Sequence, residues 1–179
     1  LLGQNIPSIR RLAFDIEVEV GDTMPDTSKA LQRITAISFH SDDRKQVYTL
    51  KRPEVAMGEE DIGRDYEIIW FDDEKELLKQ AFEVIDSYPV VLTYNGDIFD
   101  MPYLCNRANV LGLEYNPFKM MKEKATLNNG VHIDLYGVFS NRSLKIYAFG
   151  AKYITDKLDD VSEAMLGEKK VEYTGSLAD

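Results

Sequence analysis

The feature that most constrains this sequence is an apolar stretch that carries two acids. Residues 9–20 read IRRLAFDIEVEV, a composition typical of a β-strand, with Asp15 and Glu17 two positions apart. Because side chains alternate along a strand, both carboxylates point to one face, about 6.6 Å apart at a rise of roughly 3.3 Å per residue. Burying two unpaired charges would cost several kcal/mol each. The stretch therefore predicts either a strand that binds a cation or an edge strand whose polar face is exposed to solvent.

The other metal-binding residue types are scarce. One cysteine, Cys105, excludes an internal disulfide and a multi-thiolate zinc site, and two histidines, His40 and His132, leave little for a histidine-ligated metal. Carboxylates without sulfur or imidazole suit a hard ion, Mg²⁺ or Mn²⁺.

Length and charge limit the class of protein. A chain of 179 residues fits one globular domain. The net charge of −10 argues against non-specific coating of duplex DNA, which needs lysine and arginine, but it allows an enzyme that meets phosphodiesters through divalent cations. With no apolar run near the roughly 20 residues of a membrane span and no signal peptide, we expect no membrane partner and an intracellular location, in cytoplasm or nucleoid.

The hydrophobic patterns predict an α/β fold with a leading antiparallel three-strand meander. After the first strand, residues 31–41 and 45–51 alternate around a turn and predict a hairpin. The later elements are a strand at 64–71, an amphipathic helix at 72–88, a buried strand at 89–95, a helix at 99–112, a segment at 129–140 that begins extended and turns helical, and helices at 143–154 and 158–166. Thr155 or Asp156 is expected to cap the last helix, and Gly167 to end it.

A second acidic motif lies at the junction between a strand and a helix. In TYNGDIFDMPYL the strand ends at Asn95, and Asp100 enters the first turn of the next helix. Sites in open α/β sheets gather where strands end and helices begin. Alone, the motif allows a simple reading in which Asn-Gly is a turn and Asp97 or Asp100 is a helix cap. Together, the two motifs indicate one acidic site.

FDIE and YNGDIFDMPYL resemble the first two motifs of the 3′→5′ proofreading exonuclease domain of family B DNA polymerases, of an archaeal-like type. HIDLY at 132–136 and LDDVSEAMLGEKK at 158–170 also resemble segments of that family. The resemblance implies a ribonuclease-H-like (DnaQ-like) fold, in which a mixed central sheet with the antiparallel meander is flanked by helices. It also implies that residues 1–179 are a single exonuclease domain, a C-terminally incomplete excerpt of a longer DNA-directed DNA polymerase.

The same resemblance implies a set of site residues. Asp15, Glu17 and Asp100 would be catalytic and would bind two divalent ions, Mg²⁺ or Mn²⁺, which can stabilise the attacking and leaving oxygens when about 3.5–4 Å apart. Asn95 and Phe99 would contact the single-stranded 3′ end of DNA, where stacking on an aromatic ring contributes about 1–3 kcal/mol per base.

Several residues keep a second interpretation. Asp134 is implied to lie near the metal ions and support the ligands, and its alternative role is to cap the helix that follows. Phe99 also fits a core position, and Tyr94 and Tyr103 are expected to pack rather than to touch substrate.

The sequence departs from the family at the third motif, Tyr-x3-Asp. None of the ten tyrosines is followed by aspartate four positions later, and Tyr153 and Asp156, three apart, precede LGEKK, whereas the family's motif follows it. We therefore expect a proofreading exonuclease domain that is nearly inactive by itself and works with DNA and the rest of the polymerase. The alternative is a catalytically silent scaffold or DNA-binding module of a polymerase. A free-standing nuclease would need a fourth acid.

Overall fold

The structure is a computed structural model that describes residues 8–21, 24–53, 66–122 and 124–169. Its strands are β1 Arg11–Val18, β2 Ile34–Ser41, β3 Arg44–Leu50, β4 Glu67–Phe71, β5 Val90–Thr93, β6 Phe118–Met121, β7 Lys124–Leu127 and β8 Val131–Asp134. Its helices are α1 Glu74–Asp86, α2 Asp100–Val110, α3 Leu135–Phe139 and α4 Leu158–Leu166. Over these ranges, no helix is long and apolar enough to cross a membrane.

Six strands form one mixed sheet in the order β4-β3-β2-β1-β5-β8. β1, β2 and β3 pair antiparallel, which confirms the predicted meander, while β5 pairs parallel with both β1 and β8. β1 therefore lies inside the sheet, and the edge-strand interpretation of its two acids is wrong. β4 adds to β3 in parallel, and residues 64–65 of the predicted fourth strand lie outside the described residues.

The core lies on the sheet face opposite Asp15. Phe14 and Ile16 of β1 are buried there together with apolar residues of α1 and α2. α1 begins at Asp73, whose carboxylate accepts a hydrogen bond from the Glu76 amide at 3.1 Å. The helical spacing of α1 places one apolar stripe in this core, and the alternation of β1 places one apolar face there. The acids of β1 therefore lie on the opposite face.

The chain after β8 differs most from expectation. The predicted helix at 143–154 forms only in its first half, as helical residues 142–143 followed by a π-helical turn at Leu144–Ala148. Left-handed backbone at Gly150 (φ 63°) and Ala151 (φ 53°) ends it. The predicted caps of α4 are also wrong, since Lys157 stands at the N-cap without a side-chain bond. Gly167 ends α4 in the left-handed region, as predicted. The β6–β7 hairpin had not been predicted.

Candidate active site

Asp15 and Glu17 are exposed side by side on β1. Across the antiparallel pairing, Asp15 lies opposite Ser38 and Glu17 lies opposite Ala36. Directly opposite residues of paired strands project to the same face. Both neighbours on β2 are small, so their side chains project little from the sheet beside the two exposed carboxylates.

Asp100 reaches β1 from 84 positions along the chain. One oxygen of its carboxyl group accepts a hydrogen bond from the Ile16 amide at 3.1 Å. In the sheet, β5 pairs with β1 from Arg11 to Ala13, so Ile16 lies past the end of this pairing, and Asp100 supplies the acceptor there. The interpretation of Asp100 as a helix cap is wrong, because α2 has its N-cap at Phe99 without a side-chain bond.

Asp100 is 4% exposed, and its carboxyl group lies beside that of Asp15. Burial, and secondarily the negative charge of Asp15, raise the pKa of Asp100 from 3.8 to about 7. The two groups are close enough to share a hydrogen bond. Near neutral pH this acid pair therefore holds a proton, in a position that a cation can take instead.

The structure brings two of the three predicted acids together. In the described ranges, no group of three or more carboxylate, histidine or cysteine side chains is close enough to hold a metal ion. Glu17 shares the exposed face of β1 with Asp15, and its role as a third ligand stays a prediction. The donors are all carboxylate oxygens, and two of them repel each other, which fits a hard divalent cation.

The junction between β5 and α2 is tightly built. Asn95 is exposed and has left-handed backbone, with φ 68°. A Cβ on Gly96 would lie 2.3 Å from the Thr93 hydroxyl oxygen, so glycine is required there. The Asp97 carboxylate accepts a hydrogen bond from Lys124 at 2.7 Å rather than capping α2.

Asp134 lies at the end of β8 and holds this junction. Its carboxylate accepts hydrogen bonds from the amides of Asn95 at 2.7 Å, Asp97 at 3.1 Å and Tyr136 at 2.9 Å. The last of these caps α3, as the alternative role of Asp134 predicted.

The predicted aromatic contact, Phe99, is partly buried. Its ring stacks on Tyr103, with centroids 5.5 Å apart and an interplanar angle of 27°. Tyr103 is fully buried, and its hydroxyl donates to the Gln32 carbonyl at 2.9 Å, which confirms that it packs. Phe99 therefore combines core packing with a position next to Asp100.

A cavity of about 440 Å³ opens beside Asn95, and the sequence patterns do not predict it. It is lined by Tyr94, Asn95, Tyr136, Asp156, Lys157 and Leu158. The Tyr94 hydroxyl donates to the Asp156 carbonyl at 2.5 Å, across 62 positions of sequence. The spacing of residues within one segment cannot predict a cavity whose lining comes from segments so far apart in the sequence.

The comparisons with known proteins agree with this geometry. Residues 2–151 match the family model of the DNA polymerase family B exonuclease domain. The chain belongs to this family. It is 41% identical over 172 residues to DNA polymerase 1 of Saccharolobus solfataricus, which covers 93% of the chain and 19% of that protein.

Two further relatives show the same partial coverage. DNA polymerase 1 of Aeropyrum pernix is 37% identical over 171 residues, which covers 93% of the chain and 18% of that protein. The DNA-directed DNA polymerase of Escherichia phage RB69 is 30% identical over 212 residues, which covers 95% of the chain and 22% of that protein. The exonuclease domain described here thus spans about a fifth of the length of these polymerases.

Tyr153 and Asp156 do not replace the third motif of the exonuclease domain. Tyr153 is buried, and its hydroxyl donates to the Phe139 carbonyl at 2.7 Å. The Asp156 carboxylate forms an ion pair with Lys145 at 2.9 Å. Both side chains are therefore engaged in packing the segment that follows β8.

Proposed function

We propose that this chain is the 3′→5′ exonuclease domain of a longer family B DNA-directed DNA polymerase. In this proposal it hydrolyses the terminal phosphodiester of a frayed, single-stranded 3′ end and so removes mispaired nucleotides. The observation that carries the proposal is the approach of Asp100 to Asp15 through the Ile16 amide. That contact joins the two acidic motifs in one place, where Asp15 and Glu17 are exposed on β1.

The proposed site uses Mg²⁺ or Mn²⁺. Asp15, Glu17 and Asp100 would hold the ions, which supply positive charge where negative charge develops on the phosphate group. Asp100 has to release its proton before it can act as a ligand, because its pKa is about 7. The Ile16 amide keeps one oxygen of Asp100 fixed throughout.

The residues around the acids suit a single strand. Asn95 is exposed at the rim of the cavity, and Phe99 stands between Asn95 and Asp100 in the same junction. A ring face can stack on any unpaired base without sequence preference, and the Asn95 amide can contact the strand beside it. A net charge of −10 disfavours tight duplex binding and so favours a substrate that enters one strand at a time.

Hydrolysis of a 5′-labelled oligonucleotide with a mismatched 3′ end tests the proposal in the polymerase that carries this chain. We expect Asp15→Ala and Asp100→Ala each to lower nucleotide release by about 100-fold or more, since each removes a proposed ligand. Asp159→Ala, which changes an exposed carboxylate in α4, is the matched control and should retain release. Unchanged release in the Asp15 and Asp100 variants would refute the site.

The 179-residue chain by itself should release little nucleotide, because the Tyr-x3-Asp motif is absent from its sequence. Rapid digestion that Asp15→Ala abolishes would show that no further acid is needed. The second candidate function, a silent DNA-binding module, is favoured by one observation: the described residues hold no group of three possible ligands close enough to bind a metal ion. It predicts DNA binding without hydrolysis in the complete polymerase.

A further inference from the structure

We propose that Asp134 is a positioning residue that sets the geometry of the DNA-contacting junction between β5 and α2. This inference rests on the proposed exonuclease function. Asp134 does not touch the proposed substrate or the metal ligands in this assignment. It acts through the backbone of Asn95 and Asp97 and through the start of α3.

The placement of Asp134 follows from the sheet. Thr93, the last residue of β5, pairs with Asp134, the last residue of β8. Both strands are parallel, so their chains leave the sheet at the same edge and turn into α2 and α3. A carboxylate at this position faces the amides of both connections at once.

The two carboxylate oxygens of Asp134 accept different hydrogen bonds. Oδ1 accepts from the amides of Asn95 at 2.7 Å and Tyr136 at 2.9 Å, and both of these residues line the cavity. Oδ2 accepts from the Asp97 amide at 3.1 Å, one residue past Gly96. One side chain therefore fixes the distance between two parts of the cavity and the turn that leads to Phe99 and Asp100.

Asn95 has left-handed backbone, with φ 68°, a conformation that asparagine adopts more often than most other non-glycine residues. The hydrogen bond from the Asn95 amide to Asp134 holds the chain in this turn. The Asn95 side chain is exposed, so its direction depends on that backbone. Without the Asp134 acceptor, the junction can relax and Asn95 can turn away from a bound strand.

Asp134→Asn tests the role of the Asp134 carboxylate most directly. Asparagine keeps one oxygen but turns an NH₂ group toward one of the amides, so at least one of the three hydrogen bonds is lost. Asp73→Asn makes the same chemical change at the N-cap of α1, on a different helix, and serves as the matched control. Amide hydrogen exchange of the protein, measured by NMR, should become about tenfold faster or more at Asn95 or Asp97 in Asp134→Asn, and stay unchanged there in Asp73→Asn.

Binding of a fluorescein-labelled oligothymidine in Ca²⁺, measured by anisotropy, then tests the link to substrate. We expect Asp134→Asn to weaken binding about tenfold, and Asp73→Asn to leave it unchanged. In an Asn95→Ala background, Asp134→Asn should weaken binding less than about twofold further, because both changes act through Asn95. If Asp134→Asn instead caused a general loss of structure, its effect on binding would add in full to that of Asn95→Ala.

The outcomes separate this inference from the proposed function. Unchanged amide exchange at both Asn95 and Asp97, unchanged oligothymidine affinity, or full additivity with Asn95→Ala would overturn the role of Asp134. Absence of oligothymidine binding by the wild-type protein would instead contradict the proposed function, and the amide exchange would still decide whether Asp134 holds the junction.

Discussion

Asp100 and Ile16 are joined by a 3.1 Å hydrogen bond between a helix carboxyl group and a strand amide. This contact fixes the start of α2 against β1 at the residue between Asp15 and Glu17. The acidic site therefore has part of its geometry without any cation. The cost is that Asp100 is buried next to another carboxylate, which raises its pKa to about 7.

The raised pKa predicts a stability that falls with pH when no metal is present. Unfolded, Asp100 titrates near 3.8, and folded it titrates near 7, so the folded state binds more protons between these values. The stabilisation is complete below about pH 4 and is lost as the pH rises through 7. Asp100→Asn mimics the protonated acid, so the stability of this variant should not fall with pH in this way. The difference in the free energy of unfolding between Asp100→Asn and wild type should therefore grow by up to about 4 kcal/mol as the pH rises, at about 1.4 kcal/mol per pKa unit.

Urea unfolding in EDTA at pH 4, 6 and 8 measures this gap. Asp159→Asn, at an exposed site in α4, is the control and should follow the wild type at every pH. A gap between Asp100→Asn and wild type that is the same at pH 4 and pH 8 would contradict the raised pKa.

A divalent cation should reverse the loss. Mg²⁺ or Mn²⁺ competes with the proton on the acid pair, so it should stabilise the wild type more at pH 8 than at pH 6. At about 100 times its dissociation constant, a ligand of the folded state adds about 2.7 kcal/mol. Thermal unfolding with increasing Mg²⁺ should show this shift in wild type and Asp159→Asn but not in Asp15→Asn. An equal shift in Asp15→Asn would place the cation elsewhere.

Much of the fold was readable because its patterns are local. Alternation in β1 placed Asp15 and Glu17 on one face, and the helical spacing of α1 predicted its buried stripe. The meeting of Asp100 with Asp15 had no local signal, since 84 positions separate Asp100 from Ile16. It was expected from the family resemblance, whose motifs contain both acids.

The failures also have physical causes. Residues 143–154 have apolar side chains at helical spacing, but the left-handed backbone at Gly150 and Ala151 stops the helix, and Ala151 gives no warning of this in the sequence. The β6–β7 hairpin, KMMKEKAT at its centre, is lysine-rich and lacks the β-branched alternation of a strand. The cavity beside Asn95 depends on tertiary packing that no periodicity encodes.

The placement of α2 should depend on a buried ion pair. Arg107 of α2 donates to both oxygens of Glu74, at 2.8 and 2.6 Å, and also to the carbonyls of Ala30 and Leu31. Arg107→Met leaves the Glu74 charge buried without its partner, so we expect a loss of about 3–5 kcal/mol in the free energy of unfolding. The double variant with Glu74→Gln should lose less, because the charge is removed as well. Urea unfolding checks both, and a loss below about 1 kcal/mol for Arg107→Met would contradict the prediction.

Gly96 should tolerate no side chain, whereas Gly137 should. At Gly96 an added Cβ would approach the Thr93 side chain to 2.3–2.8 Å, and the atoms it meets lie close to the Thr93 backbone and cannot swing away. Gly96→Ala should therefore lower the free energy of unfolding by about 1–3 kcal/mol. Gly137→Ala, in α3, meets no atom within 4 Å and should be neutral or stabilising by about 0.5–1 kcal/mol, because alanine favours a helix over glycine. Urea unfolding of the two variants compares the same added methyl group in a closed and an open position. If Gly96→Ala is as stable as Gly137→Ala, the junction between β5 and α2 is looser than the Thr93 contact implies.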